Sequence, residues 1–281
     1  MVRTVSMANI RNHFPMGAID RVPAIQGVVN RTMDCFMGLP RLSRHVDRVG
    51  HMSDFDFIEG LIDDLGIRYV CSDADQARIP RTGGCVVTAN HPTGITELAL
   101  LNYLGRFRRD IRVVINEVLL DIASNAKGLL IPLPVFVARG SRDQIEIRRR
   151  IDEALEQEMM LLFFPSGVIS NRCGRGRIED ETWKKGAIHA ARRARAPIIP
   201  AYLGARNSRA FYLIRSLGKA GEFMSWTLLF REYMRHKNGV YPIRIGEPVT
   251  PKELRCDDDL DSQEIGVLAE MVRRRVYSLE E

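Results

Sequence analysis

The stretch Val86–Leu101, VVTANHPTGITELALL, puts a histidine where it can do acid–base chemistry. A β-branched apolar segment runs into Asn90-His91-Pro92, followed by a Thr-Gly turn and an apolar helical pattern. This order places His91 at the carboxyl end of a strand, where open α/β sheets keep their ligand sites. Glu97 follows six residues later, in the first turns of the helix. A carboxylate there can accept one imidazole N–H, orient the ring and leave the other nitrogen poised as a general base. The alternative is a loop histidine beside an unrelated helix-start acid.

Two further stretches carry groups that could hold a substrate. In Leu161–Ser170, LLFFPSGVIS, an apolar strand ends in Pro165-Ser166-Gly167. Such a turn can offer backbone N–H groups and a hydroxyl to an anion, or be an ordinary strand-to-helix turn. It is not a G-x-S-x-G nucleophile elbow, because Phe164 stands two residues before Ser166. In Ala196–Tyr212, APIIPAYLGARNSRAFY, a strand leads to Gly204 and then Arg206-Asn207-Ser208. Asn207 or Ser208 can cap the next helix, and Arg206 can hold an anionic group bidentately or be a surface arginine.

The elements that must position these groups alternate along the chain. Residues 1–66 show helical patterning rich in Met, Arg and His, with a helix expected over Asp54–Leu65 and a stop at Gly66. Strands are expected at Ile67–Cys71, Cys85–Thr88, Ile111–Ile115, Met159–Phe164, Pro197–Leu203 and Val240–Ile245, with Ile131–Val137 extended. Helices are expected at Thr96–Leu104, Asp143–Glu158, Thr182–Arg195, Ser208–Leu217, Gly221–Arg235 and Ser262–Tyr277. The pattern predicts an α/β fold: a mostly parallel mixed sheet flanked by helices, with an N-terminal helical region. The expected division is residues 1–66, packed on the core, and an α/β unit over 67–281.

Taken together, the three stretches resemble the glycerolipid (lysophospholipid) acyltransferase superfamily, and most closely its hemolysin-like bacterial branch. The resemblance rests on Asn90-His91-Pro92-Thr93-Gly94, then Phe164-Pro165-Ser166-Gly167 with Ser170, then Trp183 and Gly186. Ala205-Arg206-Asn207-Ser208 and Phe211-Tyr212 follow in the same order, so that the match spans about residues 80–220. The resemblance implies that His91 is the general base, with Glu97 as its acidic partner and no covalent acyl-enzyme. It implies that Asn90, Arg139, Pro165, Ser166, Gly167, Arg172, Arg206 and Asn207 surround the acceptor headgroup or the donor phosphates. Two departures stand out. The usual acid lies five residues after the histidine and is Asp, whereas that position is Thr96 here and the acid is one residue later. The superfamily's Phe-Pro-Glu-Gly-Thr-Arg-Ser block carries a Glu and an Arg where this chain has Ser166 and Ile169. That second change favours an acceptor other than lysophosphatidate, such as a lyso-ornithine lipid, or a substitute arginine among Arg139, Arg172 and Arg206.

Composition bounds these readings. The chain has 281 residues, 45% hydrophobic and 27% charged, which excludes a disordered chain. Five cysteines without close pairs argue against a disulfide framework or a zinc module, and six scattered histidines argue against a metal site. No apolar run approaches the ~20 residues of a membrane span, and the N-terminus lacks a signal-peptide core. A cytoplasmic protein is expected, peripheral on the inner face of the membrane. The net charge is +6, and Asn171–Arg206 alone holds nine basic residues against three acidic ones. That local excess points to an anionic partner: acyl-carrier protein or acyl-CoA as donor, and an anionic membrane surface beside the lysolipid acceptor. No basic run interleaved with aromatics supports nucleic acid. The expected activity is O-acyl transfer to a lysolipid hydroxyl without a cofactor. The alternatives are a thioesterase-like hydrolase and a non-catalytic basic lipid-binding protein.

Overall fold

The computed structural model describes residue 35 and residues 38–117, 120, 124–133 and 142–280. Its strands are β1 (Arg68–Val70), β2 (Cys85–Ala89), β3 (Ile111–Asn116), β4 (Leu130–Leu133), β5 (Met160–Phe163), β6 (Asn171–Arg172), β7 (Ile178–Glu179), β8 (Ile198–Leu203) and β9 (Val240–Ile245). Seven of them form one sheet in the order β1-β9-β8-β2-β5-β3-β4, while β6 and β7 make a small antiparallel hairpin. Strands β8, β2, β5, β3 and β4 run parallel to one another; β9 lies antiparallel to β8 and parallel to β1. This is the mostly parallel mixed sheet that the alternating pattern predicts.

The sheet is buried on both faces, which is why its central strands read as continuous apolar runs. Side chains alternate across it. Cys85, Val87 and Ala89 face one core with Met160, Leu162, Ile199 and Ala201, whereas Val86 faces the other with Leu161, Phe163 and Ile198. Helices α1 (Leu39–Val49), α2 (Asp54–Asp64) and α4 (Thr96–Gly105) pack on the first face, as do α7 (Arg209–Arg215) and α8 (Gly218–Arg235). The short α3 (Asp73–Ala77) follows β1. Helices α5 (Arg142–Glu156), α6 (Gly186–Ala194) and α9 (Ser262–Tyr277) cover the second face.

The expected helical region over 1–66 is described only from residue 38 onward, apart from residue 35. There Leu39, Leu42 and Val46 of α1 and Phe57, Ile58 and Leu61 of α2 are buried in the first core. The extended segment predicted to reach Val137 is a strand to Leu133, and its remainder lies outside the described residues.

One helix starts later than its pattern predicts. The stretch expected to be helical from Thr182 becomes α6 only at Gly186. The indole of Trp183 donates to Asp180, and Lys184 N–H donates to the Pro165 carbonyl, so residues 182–185 are held in an irregular turn. Those tertiary bonds outweigh local helix propensity.

The amino ends of the parallel strands are tied by Arg108. Its guanidinium bonds both Asp110 oxygens, the Gly83 carbonyl at 2.8 Å and the Glu158 carbonyl at 2.6 Å, with a side chain only 4% exposed. Removing a buried, fully bonded guanidinium leaves carbonyls unpaired. Arg108→Met is expected to lower stability by about 2–4 kcal/mol in denaturant unfolding, at the opposite sheet edge from His91. A midpoint unchanged from wild type would contradict the tie.

Candidate active site

Three chain segments leave the carboxyl ends of adjacent strands: His91 follows β2, Pro165-Ser166-Gly167 follows β5, and Arg206-Asn207 follows β8. Strand β2 sits between β8 and β5, so the three segments meet around His91. This is the crevice where an open α/β sheet concentrates ligand sites.

The backbone around His91 is held from several directions. Asn90 continues the β2–β8 ladder with its side chain: its amide donates to the Leu203 carbonyl at 3.1 Å and accepts from Leu203 N–H at 2.7 Å. The His91 N–H points at the Asp180 carboxylate, 3.1 and 3.2 Å from its two oxygens. The His91 carbonyl accepts from Ser170 N–H at 2.7 Å. The Pro92 carbonyl accepts from the Asn207 amide at 3.3 Å. Gly94 turns the chain at φ +91°, and a Cβ there would sit 2.4 Å from the Tyr233 hydroxyl oxygen, so the turn requires glycine.

Glu97 lies in the first turn of α4 and fixes the ring. Its Oε1 is 2.7 Å from His91 Nδ1 and also accepts from Thr93 N–H at 3.2 Å, while Oε2 accepts from the Thr96 hydroxyl at 3.3 Å. The helix N-terminus adds favourable field for that carboxylate. The side chains are 19% exposed for His91 and 6% for Glu97, and the Phe164 ring flanks the imidazole at 5.3 Å. Among the described residues Nε2 has no hydrogen-bond partner, so it is the nitrogen free to meet a substrate.

The electrostatics follow from burial and pairing. Burial disfavours imidazolium, but the Glu97 carboxylate, with help from Asp180, outweighs it and holds the His91 pKa above the ordinary value. Burial likewise pushes Glu97 toward the neutral acid, yet His91 and the backbone N–H groups of Gly94 and Glu97 win and keep it low. Asp180 stands apart: burial raises its pKa, opposed by bonds from Ser170, His91 N–H and Trp183.

The sequence does not single out Asp180, which enters only as one of the three acidic residues counted in Asn171–Arg206. It accepts from His91 N–H, from the Ser170 hydroxyl at 2.6 Å and from Trp183 Nε1 at 2.9 Å, and its own N–H donates to the Tyr277 hydroxyl at 2.6 Å. Ser170 and Trp183, which the ordered motifs include, are the signal that could have pointed to it.

Several expected substrate ligands turn out to be bonded within the fold. The amides of Asn90 and Asn207 hold Leu203 and Pro92, as above, and Asn207 Oδ1 also lies 3.3 Å from His236 Nε2. Ser208, not Asn207, caps α7, its hydroxyl accepting Phe211 N–H at 3.1 Å. Ser166 is buried and donates its hydroxyl to the Val168 carbonyl at 2.7 Å rather than presenting it outward. The Pro165 carbonyl takes Lys184 N–H; Gly167, at φ +66°, is exposed beside the Lys184 ammonium. Arg206 is exposed and pairs with Glu280 at 3.1 Å. Arg172 is exposed on the β6–β7 hairpin, and Arg139 lies outside the described residues.

The local charge excess is also smaller in three dimensions. Arg177 pairs with Glu179, Arg193 with Asp152 and Arg195 with Asp257, while Arg192 donates to the carbonyls of Arg255 and Asp258. Arg172 and Lys184 are exposed cations without a carboxylate partner among the described residues. Among the described residues no cluster of His, Cys, Asp or Glu could hold a metal ion.

A family model described as acyltransferase matches residues 46–281. Comparison with curated proteins gives no match. Among solved structures, the chain is similar to the crystal structure of the 1-acyl-sn-glycerophosphate (LPA) acyltransferase, PlsC, from Thermotoga maritima. The identity is 16% and the TM-score 0.47, over 92% of this chain and 98% of that chain.

The bonds of Asp180 set an expected order of variant stabilities. Asp180→Ala leaves the His91 N–H, the Ser170 hydroxyl and the Trp183 indole without an acceptor, at a cost of about 3 kcal/mol. Asp180→Asn retains one acceptor oxygen and falls between that variant and wild type. Urea unfolding followed by tryptophan emission measures both; an alanine variant as stable as wild type would show that Asp180 does not hold the loop.

Proposed function

Because the chain belongs to the acyltransferase family, whose model spans residues 46–281, we propose that it moves a fatty acyl chain from a thioester carrier to a hydroxyl of a lysolipid. The observation that carries this reading is the buried His91–Glu97 contact of 2.7 Å at the carboxyl end of β2, with Nε2 left free. The acceptor hydroxyl gives its proton to Nε2 as its oxygen attacks the thioester carbonyl carbon. The resulting tetrahedral species collapses, the C–S bond breaks, and the imidazolium returns the proton to the departing sulfur. The acyl group passes directly to the acceptor oxygen, so no side chain of the protein is acylated and no cofactor takes part.

Glu97 acts as a positioning residue. Its carboxylate accepts the Nδ1 proton, fixes the tautomer that leaves Nε2 basic, and stabilises the imidazolium formed during attack. The low pKa of Glu97 keeps it ionised while His91 cycles.

The donor in this reading is acyl-carrier protein or acyl-CoA, both anionic. Exposed Arg172 and Lys184, the latter beside the Gly167 turn, offer cations to either one. The acceptor is met at the anionic inner face of the membrane, to which the cytoplasmic protein attaches peripherally. A division into residues 1–66 and an acyl-transferring unit over 67–281 belongs to this reading; the family match begins before that boundary, at residue 46.

Transfer is tested with purified protein, acyl-carrier protein or acyl-CoA thioesters and a lysolipid panel, with acylated lipid read by mass spectrometry. His91→Ala is expected to lower kcat by about 10³-fold and Glu97→Gln by about 10²-fold, with Glu97→Asp less affected. An unchanged rate in His91→Ala would remove the proposed base, and thioester cleavage without an acylated lipid would assign hydrolysis instead.

A further inference from the structure

Among the described residues, one buried guanidinium makes no hydrogen bond within the fold. Arg215, at the end of α7, has a side chain only 4% exposed. Its Nε is buried without a hydrogen-bond partner. Its nearest carboxylate among the described residues is Glu181, 3.7 Å from Nη2, beyond hydrogen-bond reach and itself 59% exposed. Arg108, equally buried, bonds two carboxylate oxygens and two carbonyls. An arginine stays charged at every working pH, and burying that charge without an anion is unfavourable. The contrast marks Arg215 as a buried guanidinium without a hydrogen-bonded anion among the described residues.

Its position says which partner. Arg215 shares the inner face of α7 with Phe211 and Tyr212. The Tyr212 hydroxyl accepts Asn207 N–H at 3.1 Å, and Asn207 in turn holds the Pro92 carbonyl beside His91. On its other side α7 packs on β6, which directly follows Ser170, the residue bonded to the His91 carbonyl. Glu181 adjoins Asp180, which holds the His91 N–H. The guanidinium is therefore enclosed by the segments that position the base, close enough for its charge to oppose protonation of His91. The other arginines expected at an anion are placed differently: Arg206 pairs with Glu280 at the surface, Arg172 is exposed, and Arg139 lies outside the described residues.

We propose that Arg215 binds the anionic group, phosphate or carboxylate, of the acceptor lysolipid and so selects charged acceptors over neutral ones. The inference rests on the acyl-transfer reading above and names the class of acceptor that reading leaves open. A planar guanidinium can grip either oxyanion bidentately, which would seat the acceptor hydroxyl near Nε2.

The test compares wild type with Arg215→Met and Arg215→Lys. Transfer from one thioester donor is measured to lysophosphatidate, to a lyso-ornithine lipid and to uncharged monoacylglycerol. In parallel, binding of glycerol 3-phosphate, inorganic phosphate and glycerol is followed by calorimetry without any donor. In Arg215→Met the ratio of kcat/KM for the preferred anionic acceptor to that for monoacylglycerol is expected to fall by about ten-fold or more, with donor KM unchanged. Arg215→Lys, which keeps the charge but loses the fork, is expected to fall between. The melting temperature of Arg215→Met is expected to equal or exceed that of wild type, because an unpaired buried charge is removed. An unchanged acceptor ratio with a lowered melting temperature would make Arg215 structural and overturn the proposal. A rise in donor KM without a change in acceptor selectivity would assign the anion to the donor and overturn it equally. Glycerol 3-phosphate binding that is lost in Arg215→Met supports the site; equal affinity for inorganic phosphate alone would assign it to a free anion and count against a headgroup. If that binding is present but no lipid is acylated, the anion site stands and the acyl-transfer reading fails.

Discussion

Two buried carboxylates hold His91, one by its backbone and one by its ring, and the rest of the site is arranged around them. Asp180 receives the His91 N–H, and Glu97 receives Nδ1. A carboxylate removed from water is costly unless donors surround it. Each of these has them: Ser170 and Trp183 beside Asp180, Thr93 and Thr96 beside Glu97. Those donors lie close in sequence to their acids, whereas His91 and Asp180 are 89 residues apart, so the bond between them draws two distant loops to one place. The position of the histidine is a consequence of where charge can be buried.

The sheet makes this possible. With β2 between β5 and β8, three strand ends open together, and the loop after β2 finds polar partners in the segments that follow β5 and β8. The Asn90 amide carries the β2–β8 ladder one residue past its end, and Ser170 N–H closes the far side of the His91 peptide. Hydrogen bonds that look like candidates for substrate recognition are in this way turned inward, to hold a rigid backbone. Among the described residues, Nε2 of His91 and the guanidinium of Arg215 are polar groups of this region that the fold leaves without a hydrogen bond. A preorganised site with a few unbonded polar atoms is what catalysis by positioning requires.

How much of this the sequence shows depends on distance along the chain. His91 and Glu97 are separated by one turn and the start of one helix, so strand, turn and helix signals together imply their meeting. The parallel sheet was legible for a similar reason, since apolar runs alternate with helical patterns. Asp180 was not legible, because two of its partners, residues 91 and 277, lie far away in the chain and only the fold brings them together. Arg215 sits in an ordinary-looking helix, where only tertiary packing reveals that it is buried. The basic excess of Asn171–Arg206 is partly balanced in three dimensions, since Asp152, Asp257 and Glu280 lie outside that window and pair with its arginines. Asn90 and Asn207 show that residue type in a motif does not say whether an amide faces a ligand or the backbone.

The central claim is that the carboxylate of Glu97 makes His91 the base of acyl transfer, and it ties a titration to a rate. Glu97 stabilises imidazolium, so the neutral, reactive ring is gained only as pH rises through an inflection above the ordinary histidine value of about 6.5. The most direct measurement follows the His91 imidazole by NMR across pH in wild type and Glu97→Gln, alongside kcat/KM for acyl transfer in both. The account predicts that the acid limb of kcat/KM and the His91 titration share one inflection above that value in wild type, and that both move to lower pH in Glu97→Gln. A rate profile that stays in place while the His91 titration moves would contradict it.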